Sequence, residues 1–341
     1  MNGMIRYRFL DALRGFALLG ILLVNVLDMT TPQGTTGGPA GREVLDLAVQ
    51  SRFVPIFTLL FGVSLYLIAG GARRRGTAGW SALALRMIAL GAIGAVHMIV
   101  YPGEILRLYA IAGLLVIPLV VWAPARINLA LGVVLTCLAF GPSSGGVESL
   151  PGLMLVGAGA AGLGVPALLE GSRRFAVGLL VVAAVFAIPL TAAYLGAGGG
   201  DPRFSAEGSR AGLATAVAYI AALALLWHWG PARRALGAVF EPLGRMSLTN
   251  YVGASLVTVV AVPVLGLSAE ATIRPTTAFA VVLILVQSAV SRLWLGRFRY
   301  GPLEWLVRAA TWRTRPPFRR DPGASDMAAV RRTVEPARIG S

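Results

Sequence analysis

His97 is the side chain in this sequence best suited to moving a proton, because histidine gains and loses one near neutral pH. It lies inside an apolar stretch, about one helical turn before Pro102. Glu104, the nearest carboxylate, follows in a Pro-Gly connection, where it could fix the imidazole tautomer and stabilise the imidazolium form. Position alone fits either a general base or a hydrogen-bonded packing residue. The second histidine, His228, lies between two tryptophans at a helix end, which is typical of an interfacial structural residue.

Three polar residues interrupt the first apolar segment. Asp11 and Arg14 are three residues apart and share a helix face, and Asn25 lies eleven residues beyond Arg14. Eleven helical residues span roughly 16 Å, so Arg14 and Asn25 line one face at opposite depths. Ionisable and polar groups inside a bilayer are often functional, although an interfacial ion pair and a helix-joining amide would explain the same residues. Asn25 and His97 reach the same outer level, which favours a shared site there.

The elements that must position these residues are membrane helices. Hydrophobic residues make up 56% of the 341-residue chain and charged residues 13%, proportions that exclude a water-soluble domain. A backbone inside the bilayer must satisfy its own hydrogen bonds, so apolar stretches of roughly 20 residues predict helices. We therefore predict an all-α polytopic membrane protein with about ten transmembrane helices. The predicted spans are 10–28, 53–70, 82–101, 105–122, 128–141, 151–169, 175–195, 211–230, 247–266 and 276–295.

Arginine placement predicts the orientation of these spans. All 30 basic residues are arginine, and they concentrate on alternate connections. Basic residues near helix ends remain in the cytoplasm, so both termini are predicted to be cytoplasmic, in the cell inner membrane. The same rule explains most of the net charge of +15, which therefore indicates contact with membrane lipid and no nucleic-acid partner. Residues 313–341 are predicted to form a mobile basic cytoplasmic tail.

The sequence offers no convincing metal or nucleotide motif. Two histidines on different helices and a single cysteine, Cys137, do not form a metal-ligand set, so no metal is expected. The run Gly-Ala-Gly-Ala-Ala-Gly at 157–162 superficially matches a dinucleotide fingerprint, but no strand precedes it and it lies inside a predicted span. Its small residues are typical of closely packed membrane helices.

Three passages resemble a known family. The first consists of LDALRGFALLGILLVN at 10–25 and RFVPIFTLLFG at 52–62, the second of RMIALGAIGAVH at 86–97 and GEILRLYAIAG at 103–113, and the third of GRMSLTNY at 244–251 and GPLEWLVRAATW at 301–312. Together they resemble the YeiB family of bacterial membrane proteins. The resemblance implies one transmembrane acyltransferase-like domain over 1–312, with the YeiB-type C-terminal half at about 170–312. It also implies a relationship by fold to acyltransferase-3 proteins and heparan-alpha-glucosaminide N-acetyltransferase.

The resemblance implies transfer of an acetyl group from cytoplasmic acetyl-CoA to a hydroxyl or amine of a small-molecule or glycan acceptor. Arg14 matches the arginine that opens the acyltransferase-3 motif, but the residue eleven positions later is Asn25 instead of that family's histidine. His97 is its natural replacement, because the YeiB pattern has a histidine followed by Gly-Asp-Ile-Leu at this spacing. Residues 103–106 here are Gly-Glu-Ile-Leu, so glutamate replaces the aspartate and keeps the carboxylate on a longer side chain. His97 would be the general base, Glu104 would orient its ring, and Asn25 would donate to the developing oxyanion. A transient acetyl-histidine is a variant, and the related acetyltransferase suggests a homodimer.

The donor's phosphates would need positive charge near the cytoplasmic mouth. Arg14, Arg86 and Arg245 enter helices there, and Asn250 lies one turn farther in. The planar guanidinium gives paired hydrogen bonds to phosphate, although anchoring of helix ends would explain each arginine equally well. The main alternative function is a transporter or flippase for a small solute or lipid-linked intermediate, because polar intramembrane residues also mark substrate pathways.

Overall fold

The chain folds almost entirely into α-helices. The computed structural model describes residues 6–31, 40–142, 144–269 and 271–320, and within these ranges the strand-like pairing consists of two isolated bridges. The helices are α1 (Arg8–Thr30), α2 (Arg42–Ala48), α3 (Phe53–Arg74), α4 (Gly79–His97), α5 (Leu106–Trp122), α6 (Ala125–Phe140), α7 (Ser149–Gly162), α8 (Val165–Gly171), α9 (Arg173–Gly196), α10 (Ala206–Trp227), α11 (Gly230–Arg245), α12 (Ser247–Leu265), α13 (Arg274–Arg297) and α14 (Pro302–Trp312).

The length and composition of these helices make the chain a polytopic membrane protein. In the described ranges, seven spans are long and apolar enough to cross a bilayer: α1, α2 with α3, α4, α9, α10, α12 and α13. The bent pair of α7 and α8 brings the number to eight, and α5 and α6 are shorter apolar helices. With 17 and 16 residues they extend roughly 24–26 Å, less than the hydrocarbon core of about 30 Å. The all-α polytopic fold is confirmed, and the number of ten crossings stays a prediction.

The predicted span at 151–169 is broken in the structure. Its two parts, α7 and α8, meet at 69°. Gly164 lies at the break with a φ of +82°, a left-handed conformation that glycine adopts without the steric cost of a Cβ. Pro166 then lies in the first turn of α8, where backbone N–H groups have no partner within the helix, so a proline costs no helical hydrogen bond.

Three helices, α2, α11 and α14, are not among the predicted spans. The longest of them, α11, alternates polar and apolar residues and contains Arg233, Arg234 and Glu241, so its average hydropathy is too low to indicate a span. It nevertheless packs closely along α1. A Cβ on Gly15 would overlap the carbonyl of Phe240, and one on Gly244 would overlap the carbonyl of Asp11. Glycine at both positions lets the two backbones touch, which brings the end of α11 beside the first turns of α1.

The glycine-rich run at 157–162 forms the end of α7 and packs between two other helices. A Cβ on Gly157 would overlap the carbonyl of Leu59 in α3, and one on Gly159 would lie 2.5 Å from the backbone nitrogen of Leu129 in α6. Neither contact leaves room for a side chain. The prediction of close helix packing at this run is therefore confirmed.

Ion pairs join the two halves of the chain at the end of α1 that carries Asn25. Arg203, in the α9–α10 connection, donates to Asp28 with N–O distances of 2.7 and 3.1 Å and to Asp201 at 2.8 Å. Arg42 donates to Asp201 at 2.8 Å as well. Burial would raise the pKa of Asp201, but the hydrogen bonds and charges of Arg203 and Arg42 outweigh it and hold this pKa below its ordinary value.

The chain after α14 differs in part from the predicted mobile tail. Residues 313–320 return to the end of α13, where Arg299 donates its backbone N–H to the carbonyl of Phe318 at 2.9 Å and Arg320 donates to Arg297 at 3.0 Å. The ring of Phe318 also contacts Phe298, with centroids 4.9 Å apart. These aromatic contacts hold the segment against α13, and a prediction from its basic composition could not include them. The rest of the predicted tail, 321–341, lies outside the described residues.

Candidate functional site

A cavity of about 650 Å³ lies between helices from both halves of the chain. Its walls come from α1, α3, α4, α5, α12 and α14 together with the end of α11. Its volume falls in the range of about 300–1,000 Å³ that is typical of small-molecule and cofactor sites. Seven arginines line it, accompanied by two carboxylates, Asp11 and Glu304. The arginines are Arg6, Arg14, Arg86, Arg245, Arg299, Arg308 and Arg320.

Three arginines predicted to lie at the mouth, Arg14, Arg86 and Arg245, do line this single cavity. Arg14 donates to the hydroxyl of Ser64 at 3.0 Å and, more weakly, to Asp11 at 3.4 Å. Arg86 and Arg245 have no hydrogen-bonding or ion-pairing partner within the described ranges. The cavity therefore contains guanidinium groups that an anionic ligand could bind.

Positive charge accumulates around Arg245. Burial lowers the pKa of Arg245, and the neighbouring charges of Arg6 and Arg320 lower it further. Asp11 compensates only part of this charge, because its carboxylate accepts from Arg6 at 2.6 Å. A bound polyanion would relieve the repulsion among these groups, which is the electrostatic condition for a phosphate site.

Glu304 lines the cavity and binds the beginning of α12. Its carboxylate accepts from the backbone N–H groups of Leu248 and Thr249, at 2.7 and 3.0 Å, and from the hydroxyl of Thr249 at 2.6 Å. Free N–H groups at a helix N-terminus attract negative charge, so α14 supplies the cap that α12 lacks in its own sequence. This contact fixes the helix that carries Tyr251.

The other end of the cavity is closed by aromatic and apolar residues. Tyr109 and Tyr251 line it there, together with Ile105 and Leu106. The hydroxyl of Tyr109 is already engaged with the hydroxyl of Thr58 at 2.6 Å. Tyr251 accepts from the backbone N–H of Ile105 at 3.4 Å. The cavity is thus charged at one end and apolar with phenol groups at the other.

His97 lies directly behind Tyr251. The two ring centroids are 5.2 Å apart in an edge-to-face arrangement, and the ring of Tyr101 lies 6.2 Å from His97. His97 is only 2% exposed, and neither ring nitrogen has a hydrogen-bonding partner among the residues described. Buried polar groups are normally satisfied, so an unpaired imidazole in this position is a functional candidate.

The structure brings Asn25 into the same cluster. The hydroxyl of Tyr101 donates to Asn25 Oδ1 at 3.4 Å, and the side chain of Asn25 also interacts with the hydroxyl of Tyr251. Asn25 and His97 therefore share two tyrosine neighbours, although they lie on different helices, α1 and α4. Their predicted common level is consistent with this arrangement.

Glu104 makes no hydrogen bond to His97 in the described structure, contrary to its predicted role as the partner that orients the ring. Its carboxylate accepts from the backbone N–H of Leu106 at 2.7 Å and from the guanidinium of Arg107 at 2.6 Å. The physical reason is local: a carboxylate just before α5 is attracted by the free N–H groups of that helix. Glu104 therefore binds the N-terminus of α5 and leaves both nitrogens of the imidazole without a hydrogen bond in the described part of the chain.

Asn250 is separated from the cavity. Its amide donates to the hydroxyl of Ser291 at 2.9 Å and accepts from the same hydroxyl at 3.2 Å, which joins α12 to α13. It is not among the residues that line the cavity. Its neighbour in sequence, Tyr251, occupies the position at the cavity instead, because successive helical residues point about 100° apart.

Sequence reasoning missed Tyr251, Tyr101 and Glu304. Tyr251 ends the GRMSLTNY passage and Glu304 lies in GPLEWLVRAATW, so both belong to segments that carry the family resemblance. Tyrosines are common at membrane interfaces, and nothing in the order of residues distinguishes an interfacial phenol from one that closes a cavity. Of the residues described, no group of three or more His, Cys, Asp or Glu side chains could hold a metal ion.

Comparison with known proteins divides the chain into two matched halves. A family model described as "Heparan-alpha-glucosaminide N-acetyltransferase, catalytic" matches residues 6–158, and a model described as "Protein of unknown function (DUF418)" matches residues 164–314. The boundary between them coincides with the bend between α7 and α8. Each match covers just under half of the sequence, and residues from both matched ranges line the cavity.

Three curated relatives are similar over nearly the full length. YeiB of Escherichia coli (strain K12) is 28% identical over 90% of this chain and 97% of its own length. YxaH of Bacillus subtilis (strain 168) is 23% identical over 90% of this chain and 94% of its own length. A 39.9 kDa protein of the amylase 3′ region of Bacillus acidopullulyticus is 29% identical over 91% and 94%, respectively. All three are described as uncharacterized proteins.

Proposed function

The chain is a YeiB-family protein related to the heparan-alpha-glucosaminide N-acetyltransferases, and from this premise we propose that it is an acetyl-CoA-dependent transmembrane acyltransferase. The acceptor would be a hydroxyl or amine that reaches the site within or across the membrane. The observation that carries the proposal is the polarity of the cavity, with arginines at one end and Tyr251 backed by His97 at the other.

The donor would lie lengthwise in this cavity. Its phosphates would bind Arg86 and Arg245, whose donors have no partner within the described ranges. Its pantetheine arm would run along the apolar walls of α3 and α5, and the thioester would end near Tyr251. A site with separate charged and apolar regions matches the chemistry of an acyl-CoA, whose phosphates are charged and whose acyl-pantetheine arm is uncharged.

The proposed reaction needs one base and one leaving group. His97 would take the proton from the acceptor hydroxyl or amine as that group attacks the thioester carbonyl carbon. The carbon–sulfur bond would break, and the CoA thiolate would leave and receive the proton that His97 had taken. Asn25 would donate a hydrogen bond to the oxyanion, from its position beside Tyr251 and Tyr101.

Acetyl-CoA binding to the purified protein in detergent tests the proposal. Isothermal calorimetry should detect specific binding, weakened for dephospho-CoA, which lacks the 3′-phosphate, and undetectable for unrelated nucleotides. Arg86→Gln should raise Kd about 10–100-fold, because a charge-assisted hydrogen bond contributes about 1.5–3 kcal/mol. Arg126→Gln is the matched control: Arg126 is an exposed arginine at the beginning of α6, outside the cavity, and its loss should leave Kd unchanged.

The outcomes separate acyl transfer from its main alternative. Acetyl-CoA binding followed by a CoA-dependent mass increase in an acceptor would support the acyltransferase. Absence of binding in folded protein, or equal Kd changes in both arginine variants, would contradict the assigned donor site. Saturable movement of an unmodified solute would then favour a transporter.

A further inference from the structure

Tyr251 separates the cavity from the cluster around His97. Among the aromatic side chains described at the cavity, it is the one whose ring also contacts the His97 ring, at 5.2 Å. Tyr251 is 7% exposed, lines the cavity and touches the His97 ring, so its side chain lies between the two sites. A donor that entered the cavity from its arginine-lined end would meet Tyr251 before it met His97 or Asn25.

The hydrogen bonds of Tyr251 leave its own proton available. Its oxygen accepts from the N–H of Ile105. The oxygen of the Asn25 amide already accepts from Tyr101, so the amide nitrogen is the group that Asn25 can turn toward Tyr251. The N–H of Ile105 thus occupies one lone pair of the Tyr251 hydroxyl. No acceptor within the described ranges takes the O–H of Tyr251, so this O–H can donate into the cavity that the side chain lines.

We propose that Tyr251 is a catalytic residue that donates a hydrogen bond to the carbonyl oxygen of the donor thioester and whose ring, until an acceptor is bound, closes the donor cavity against the His97 cluster. The proposal rests on the acyl transfer described above. As the acceptor attacks the carbonyl carbon and the carbon–sulfur bond breaks, negative charge develops on the carbonyl oxygen. Tyr251 keeps its proton throughout and stabilises that charge, while His97 carries the proton from acceptor to CoA thiolate.

The two functions of Tyr251 belong to different atoms, so two substitutions separate them. Tyr251→Phe removes the hydroxyl and keeps the ring. Tyr251→Ala removes the ring as well and joins the cavity to the His97 cluster. Tyr219→Phe is the matched control: this phenol also lies on a long apolar helix, α10, and its hydroxyl donates to the carbonyl of Ala48 at 2.9 Å, away from the cavity.

Steady-state transfer with acetyl-CoA as the varied substrate tests the hydroxyl. Tyr251→Phe should lower kcat about 10²–10³-fold, as expected for loss of one oxyanion donor. Its Kd for acetyl-CoA should stay within about twofold, and Tyr219→Phe should turn over like the wild type. Wild-type turnover in Tyr251→Phe, or a loss of the same size in Tyr219→Phe, would overturn the assignment. A loss that disappears at saturating acetyl-CoA, with wild-type kcat and a raised Kd, would overturn it as well.

Hydrolysis of acetyl-CoA without acceptor tests the ring. Tyr251→Ala should release CoA faster than both the wild type and Tyr251→Phe, because water from the His97 cluster reaches the thioester. Equal hydrolysis in all three proteins, at unchanged acetyl-CoA affinity, would overturn the closing function. If the wild-type protein neither binds nor consumes acetyl-CoA, the proposed function itself is overturned. If the wild type is active and Tyr251→Phe is equally active, only the assignment of Tyr251 is overturned.

Discussion

His97 and Glu104 illustrate what residue types in a sequence do and do not define. A histidine inside an apolar stretch indicated a candidate base, and the structure buries it without a partner in the described part of the chain. The nearest carboxylate in sequence indicated a partner, yet Glu104 binds the N-terminus of α5 and Arg107. Spacing determines which groups are near each other along the chain, but the direction of each side chain depends on competing local donors.

Replacing His97 should abolish transfer without releasing the donor. We expect His97→Ala to lower turnover about 10²–10⁴-fold, the usual contribution of a general base, with the Kd for acetyl-CoA within about twofold. His228→Ala provides the control, because the second histidine lies at the end of α10 and does not line the cavity. Single-turnover transfer and calorimetry measure the two quantities. Transfer at the wild-type rate in His97→Ala would eliminate the general-base mechanism.

The sequence grouped the cavity arginines correctly but not the amide of Asn250. Arg14, Arg86 and Arg245 could be grouped from the sequence because positive charge concentrates at one end of the helices, and that end forms one wall of the cavity. Asn250 could not be assigned in this way. Its amide faces Ser291 and not the cavity, and a shift of one residue along a helix is enough to change that.

At the scale of elements, the apolar helices were predictable and the amphipathic ones were not. Helix α1 was expected at 10–28 and occupies Arg8–Thr30, because a long apolar run in a bilayer has no other way to satisfy its backbone. Helices α11 and α14 carry enough charge to resemble connecting segments. Their positions depend on tertiary contacts, such as Gly15 and Gly244 against neighbouring backbone, that no local pattern records.

The contact between α14 and α12 should make stability depend on pH. Burial raises the pKa of Glu304 above its ordinary value of 4.5, against the opposing hydrogen bonds from Thr249 and Leu248. As pH rises from 4.5 toward the folded-state pKa, the unfolded chain loses this proton first. The folded state therefore loses stability over that interval.

Thermal unfolding of the wild type and Glu304→Gln should reveal this dependence. Glutamine cannot ionise, so the Tm difference, wild type minus variant, should be largest at low pH and decrease as pH rises through the interval. Each kcal/mol lost corresponds to roughly 2–4 °C for proteins of about 150–250 residues and to less for this longer chain. Glu148→Gln, in the α6–α7 connection, serves as the control. A Tm difference that is constant with pH, or that grows as pH rises, contradicts the prediction.

At the scale of the whole molecule, the number of crossings depends on α5 and α6. If both cross the membrane, the α5–α6 connection and the α6–α7 connection lie on opposite sides. If the pair enters the bilayer and returns, the α5–α6 connection lies within the membrane and can be reached only from the side of the α6–α7 connection. The sequence could predict ten spans from hydropathy and arginine placement, but lengths of 17 and 16 residues do not by themselves distinguish these cases.

Labelling of single cysteines distinguishes a chain with ten spans from one in which α5 and α6 form a re-entrant pair. In a Cys137→Ser background, Arg126→Cys places a thiol at an exposed position at the beginning of α6, next to the α5–α6 connection. Val147→Cys places one at an exposed position in the α6–α7 connection. With ten spans and cytoplasmic termini, a membrane-impermeant maleimide should label Val147→Cys in intact cells and Arg126→Cys only after permeabilisation. Labelling of both positions from one side would reduce the number of spans to eight.

The cavity shared by the two halves limits how such a chain can change over time. Arg14 and Arg86 come from the part matched by one family model, and Arg245, Tyr251 and Glu304 from the part matched by the other. A chimaera joined at Gly164 would combine an arginine cluster from one parent with a closing tyrosine from another. Exchange of halves between relatives at this boundary would therefore mismatch the walls of the cavity. We expect the two halves to be inherited together.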